Sequence, residues 1–179
     1  MSSRSGGRER LNQILAQYQV REDPGGTVRR AEVGAEELTQ TEMQMLLADA
    51  ARIPEIRDIR DRASAEAVRR FPPPDGRQVD NETDAFRHTY GSALLTRSFG
   101  PDWASRFTSA HEGNPDNNRA SRAMDLYNNE IGRSIALAHP DASPEAIADL
   151  AADAVLNGEA VVVGPDGVSL RWSASGNEV

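Results

Sequence analysis

The chain has 179 residues, about the size of one domain with its own hydrophobic core. It contains no cysteine, which excludes disulfides and thiolate metal sites and leaves His, carboxylate or amide as metal ligands. A formal net charge of −8 speaks against broad nucleic-acid binding, although all 20 basic residues are arginine, the better oxyanion clamp.

Residues 1–7 are Ser, Gly and Arg after the first Met and read as a disordered tail without the apolar stretch of a signal peptide. No later apolar run approaches a membrane span. A cytoplasmic protein is therefore expected, or one exported by a signal-independent machine. Leu11, Ile14, Leu15 and Tyr18 recur at helical spacing and predict a short amphipathic helix, ended by Pro24 and the Gly25–Gly26 pair. Thr39 and Glu42 have the spacing of a capping box, and Met43, Leu46, Leu47 and Ala50 give the helix behind them one apolar face. "IPEIRDIRDRASAEAVRRF" reads as a further helix with a charged outer side. Pro72–Pro74 with the Asp75–Gly76 turn form a connector and a candidate hinge. Residues 8–75 thus make an N-terminal helical segment and residues 76–179 a motif-bearing core, together one folded unit.

In that core Asn81 caps a helix running to about Phe99. Gly100–Pro101 breaks the chain and opens a second helix, which carries Trp103, Phe107 and Ala110 and reaches His111. After the loop "GNPDNN" a third helix spans about Ser121 to Ala138. Ser143 caps a fourth, with Pro144 first and Ile147, Leu150, Ala151 and Ala154 facing inward, and Asn157–Gly158 stops it. "EAVVVGPDGVSLRW" reads as a β-hairpin, the only strand pair expected. The fold class is mainly α: a single-domain helical bundle with a short C-terminal β-hairpin.

Two of these helices share a skeleton, "DAFRHTYG" at 84–91 and "DLYNNEIG" at 125–132. At about 100° per residue, Asp84, His88 and Gly91 fall on one strip, and Asp125, Asn129 and Gly132 on another. If the strips face each other and His111 joins them, Asp84, His88, His111 and Asp125 make a first shell for a divalent metal cation. Glu112 or a histidine then serves as general base, and Arg87 steadies developing negative charge. Asn128 and Asn129 orient a substrate, for which Gly91 and Gly132 leave room. The same pattern has a plainer reading, in which Asp and Asn make buried hydrogen bonds and the glycines permit tight helix crossing.

"DAFRHTYGSALLTRSFG", "AHE" and "MDLYNNEIGRSIA" resemble a poorly characterised family of helical domains in bacterial proteins. These occur alone and at the C-termini of large secreted, toxin-like polypeptides. The resemblance covers roughly residues 80–140 and matches Asp84, Arg87, His88, His111, Glu112, Asp125, Asn128, Asn129 and Gly132. Tyr90 stands where the family more usually has Trp one place along. Site and resemblance together lead to the expectation of an effector-like hydrolase, dependent on a divalent metal and acting on a phosphoester or cell-envelope polymer. Such a protein would have a cognate immunity or secretion partner. The order His…His-Glu…Asp parallels HD-type phosphohydrolases, with Glu112 where that family has Asp. The alternatives are a non-enzymatic helical adaptor with an acidic surface, and a metal-independent peptidoglycan-cleaving enzyme using Glu112 with Asp125.

Overall fold

The computed structural model describes residues 2–29 and 37–174. In chain order the elements are α1 (Ser2–Gln17), β1 (Thr27–Arg29), β2 (Glu37–Thr39), α2 (Gln40–Ala48) and a 3-10 turn at Ala50–Arg52. There follow α3 (Ile53–Arg70), α4 (Glu82–Phe99), α5 (Pro101–His111), α6 (Arg119–Ala138), α7 (Pro144–Leu156), β3 (Val161–Val163) and β4 (Leu170–Trp172). The mainly-α architecture and the C-terminal antiparallel hairpin agree with the sequence reading. No helix among the described residues is long and apolar enough to cross a membrane.

Local chemistry sets the helix boundaries. Thr39 Oγ1 accepts from the Glu42 amide at 3.2 Å while Glu42 Oε2 accepts from the Thr39 amide at 2.8 Å, the reciprocal capping box that starts α2. Asn81 and Ser143 cap α4 and α7 in the same way, through the amides of Asp84 and Ala146. Gly100 closes α4 at φ 85°, a left-handed value that favours glycine, and Pro101 then fixes the first turn of α5.

Helix α4 runs through the centre. Ala85, Phe86, Tyr90 and Ala93 are buried on it, with α6 as its largest neighbour and α3, α5 and α7 around the rest. Ile14, Ile59, Ala63 and Ala67 from the N-terminal segment enter the same apolar cluster as Phe86 and Met124. Full burial of side chains such as Phe86, Met124 and Ile147 contributes about 1.5–3 kcal/mol each.

Three expectations need correction. α1 begins at Ser2, so the supposed tail of residues 1–7 is helical from there. Docking on the body supports it: a Cβ at Gly7 would stand 3.6 Å from Trp172 Nε1, and Tyr18 meets the ring of Tyr127 edge-on. A second strand pair exists, β1 with β2, too short at three residues each for alternation to reveal. On α2 the buried residues are Glu42, Met43, Met45 and Leu46, while Leu47 is 61% exposed; the inward face is rotated away from Leu47 toward Glu42 and Met45.

Candidate metal centre

The cap at Asn81 places Asp84 in the first turn of α4, and His88 follows one turn later on the same strip. Where α6 crosses α4, Asp125 meets this strip from the other side. His88 Nε2 lies 3.4 Å from Asp84 Oδ1 and 3.4 Å from Asp125 Oδ1. One ligand atom from each of these three residues fits within 4.8 Å of the others. A tetrahedral shell with bonds of ~2.1 Å has edges of about 3.4 Å, so the residues present suit a small divalent cation. Asp84 is held from behind: its Oδ2 accepts from the Asp80 amide at 2.7 Å, and Arg87 donates to its Oδ1. Asp80 itself has φ 67°, and its carboxylate accepts from Ser121 Oγ at 2.5 Å while its carbonyl accepts from the Val163 amide at 3.1 Å. One strained residue thus clips α4, α6 and β3 together beside the centre.

The site buries more carboxyl groups than cations to pair with them. Asp84, Glu112 and Asp125 are all buried, and Arg87 is the guanidinium paired among them. Three buried carboxyl groups thus share one guanidinium, and a divalent ion would favour the ionised form of all three. Glu112 Oε2 accepts from Asn117 Nδ2 at 2.7 Å, but Glu112 Oε1 and Asp125 Oδ1 have no hydrogen-bond partner among the described residues. Glu112 Oε1 stands 3.9 Å from His88 Nδ1. Burial pushes Glu112 up to about 7, with Asp84 and Glu42 adding to it against the pull of His111 and Asp125. Burial likewise holds Asp125 well above the usual carboxylate range, and the charges of Glu112 and Asp84 reinforce it. Asp84 goes the other way: burial opposes its ionisation, but His88, Arg87 and the Asp80 amide outweigh that and hold it below the usual range.

A cavity of about 210 Å³ opens beside this cluster. Arg87, His88, Gly91, His111, Glu112 and Asn129 all reach it, while Asp84 and Asp125 lie behind His88. Its opposite wall comes from the N-terminal segment, through Leu38, Leu46, Ile53, Ile56 and Ile59. Sequence reasoning missed that wall, along with Glu42 and Arg57. The available signal was a carboxylate, Glu42, on the inward stripe of α2, and its capping role had already accounted for it.

Three expected site residues have other work. His111 stays outside the cluster and its Nδ1 donates to Glu42 Oε1 at 2.9 Å, because the end of α5 turns the ring toward α2. Asn128, fully buried, donates from Nδ2 to the Val161 carbonyl at 2.8 Å and accepts from the Val161 amide at 3.1 Å; it pins β3 and faces away from the cavity. Gly132 lies at the α4–α6 crossing, where an added Cβ would stand 2.0 Å from the Thr89 carbonyl oxygen. It admits a neighbouring backbone, not a ligand. Gly91 does leave room, since its added Cβ would meet only Ala63 at an ordinary 3.5 Å.

Residues 43–159 match the family model of a domain of unknown function (DUF6973). The match runs from within α2 to just past α7, and so takes in the helices of the cavity wall as well as the motifs at 80–140. No curated protein and no solved structure matches the chain.

Proposed function

We propose that this chain, which belongs to the DUF6973 family, is a divalent-cation-dependent hydrolase acting on a phosphoester. The observation that carries the reading is His88 Nε2 standing 3.4 Å from both Asp84 and Asp125, amid an excess of buried carboxylate. Asp84, His88 and Asp125 would hold the ion. A bound divalent cation supplies Lewis acidity, lowering the pKa of a water and offsetting negative charge on the substrate. Glu112 Oε1, unpaired and held near neutrality, takes the proton from the attacking water. The unpaired Nδ2 of Asn129 and Nε of Arg87 donate to substrate oxygens as charge develops there. Arg87 also fixes Asp84 in place through its other contact.

The test is thermal unfolding of wild type, His88→Ala and Asp125→Asn with Mg²⁺, Mn²⁺, Ca²⁺, Zn²⁺ or EDTA, followed by hydrolysis of bis(p-nitrophenyl) phosphate. Wild type gains stability with one ion and hydrolyses the ester only with it; both variants lose the gain. No response to any ion would sink the proposal.

One observation favours a second reading. Glu112 at 3.9 Å from His88 Nδ1, with its pKa pushed up to about 7, forms an acid–base pair that needs no metal. Hydrolysis that survives EDTA and disappears in Glu112→Gln would replace the first reading by this one.

A further inference from the structure

The cavity beside His88 is lined by two kinds of side chain. One is aliphatic, formed by Leu38, Leu46, Ile53, Ile56 and Ile59 with Leu95 from α4. The other is polar: Arg87, His88, Glu112 and Asn129 from the core helices, Arg57 beside Ile56 on α3, and the Glu42–His111 pair. Asn129 is 2% and Glu112 1% exposed, yet Asn129 Nδ2 and Glu112 Oε1 have no hydrogen-bond partner among the described residues. The same holds for the Nε atoms of Arg57 and Arg87. Buried polar atoms are ordinarily satisfied, and four unmade ones on residues that line one cavity are costly unless a ligand or water reaches them. Aliphatic side chains around an unused space would ordinarily interdigitate and close it, because interiors pack to crystal-like density. This space stays open at about 210 Å³, whereas an apolar cavity of about 150 Å³ already accepts a benzene ring.

We infer that the cavity binds an amphiphilic phosphoester, its hydrocarbon arm against the α2–α3 wall and its phosphoryl oxygens turned toward Asn129, Arg57 and Arg87. Three donors from three helices, two of them guanidinium, suit a multiply charged oxyanion better than a single carbonyl. The phosphoryl half of this assignment rests on the proposed metal-dependent hydrolase; the hydrocarbon half stands without it. The arm is ring-sized or a chain of roughly six to eight carbons, since the space is somewhat larger than one that holds benzene. A free, soluble ester therefore fits, and a long-chain membrane lipid does not.

The experiment is isothermal titration of the full chain with n-alkyl monophosphates from ethyl to dodecyl, in Mn²⁺ and in EDTA. Inorganic phosphate and the 1-alkanols of matching length are the companion probes. Alkanols report the aliphatic wall alone, and their affinity rises about fourfold per added methylene until the arm fills the space, in either buffer. In Mn²⁺ each alkyl phosphate binds more tightly than its alkanol and than inorganic phosphate. Gly91→Leu and, at a partly exposed position, Ile56→Asn flatten the chain-length series. A flat series in wild type overturns the inference whatever the metal does. Affinity still climbing at dodecyl overturns the size limit and points to a bilayer lipid. Mn²⁺ that binds the protein but leaves alkyl phosphates no tighter than alkanols overturns the phosphoryl half. A rising alkanol series with no Mn²⁺ binding keeps the hydrocarbon arm while the metal-dependent reading falls.

Discussion

His111 on α5 donates from Nδ1 to Glu42 Oε1 on α2 at 2.9 Å, and this contact ties the N-terminal helices to the motif-bearing core. Glu42 is almost fully buried and its other oxygen completes the capping box, so one carboxylate holds both a helix start and an imidazole. Partial loss of water disfavours the charged ring, but Glu42, with Glu112 and Asp125 behind it, outweighs that loss and raises the pKa of the ring above 6.5. Folding therefore favours the protonated ring. Its stabilisation is complete below pH 6.5 and is lost as pH rises above that value. Because the side chain is 52% exposed, the pair contributes about 1 kcal/mol or less. Urea titrations should show His111→Gln less stable than wild type at pH 6 and the gap closing as pH rises past about 7.5. A gap that does not change with pH would refute the ion pair.

The matched glycines of the twin motif make a second test. Gly132→Ala drives a Cβ to 2.0 Å from a backbone oxygen, which only a shift of α4 against α6 can relieve. Overpacking of this kind costs about 1–3 kcal/mol and, against backbone, the upper end is expected. Gly91→Ala meets one methyl group at 3.5 Å and gains the helix propensity that glycine lacks, so it should be neutral or stabilising by up to about 1 kcal/mol. Equal effects from the two changes in chemical denaturation would mean that the crossing is not where Gly132 puts it.

Asn128 offers a third. Its side chain mimics a neighbouring strand for Val161, accepting from the amide and donating to the carbonyl. Asn128→Leu leaves both backbone groups buried and unpaired, a loss of about 2–4 kcal/mol in unfolding free energy. Stabilisation by a bound cation should survive the change, since Asn128 does not touch the centre. A variant that folds normally but loses its cation response would return Asn128 to the site.

These residues also show which features the sequence made legible. The caps at Thr39, Asn81 and Ser143 could be read because each satisfies amides three residues away. Asp84 and His88 could be placed together for the same reason, and Asp125 followed from repeating their spacing on α6. His111 could not, because its partner Glu42 lies 69 residues earlier and had a complete local explanation. Asn128 and Gly132 lie near the proposed site positions Asn129 and Asp125 on the helix, and only the packing of β3 and α4 against α6 separates their roles. The aliphatic wall at Leu46, Ile56 and Ile59 reads as ordinary core until a cavity appears beside it. Long-range packing, which local pattern does not encode, accounts for each of these misreadings.

An empty site should make Asp125 destabilising. Burial holds its pKa well above the ordinary 3.8; His88 and Arg87 pull it down, but Glu112 and Asp84 add to the rise. A carboxyl raised in the fold favours folding only while protonated, so it removes stability as pH climbs above its unfolded value. Asp125→Asn keeps the shape and abolishes that titration. In EDTA the variant should be more stable than wild type, by a margin that widens as pH rises above about 4. A saturating cation should reverse the order, because wild type alone gains, by about 2.7 kcal/mol at 100 times the dissociation constant. Thermal unfolding in the two buffers reads both effects. The reversal separates a binding site from a buried hydrogen-bond network, since a network residue would weaken the fold in either buffer when replaced. If Asp125→Asn is the less stable protein with and without cation, Asp125 is structural and the proposed centre falls with it.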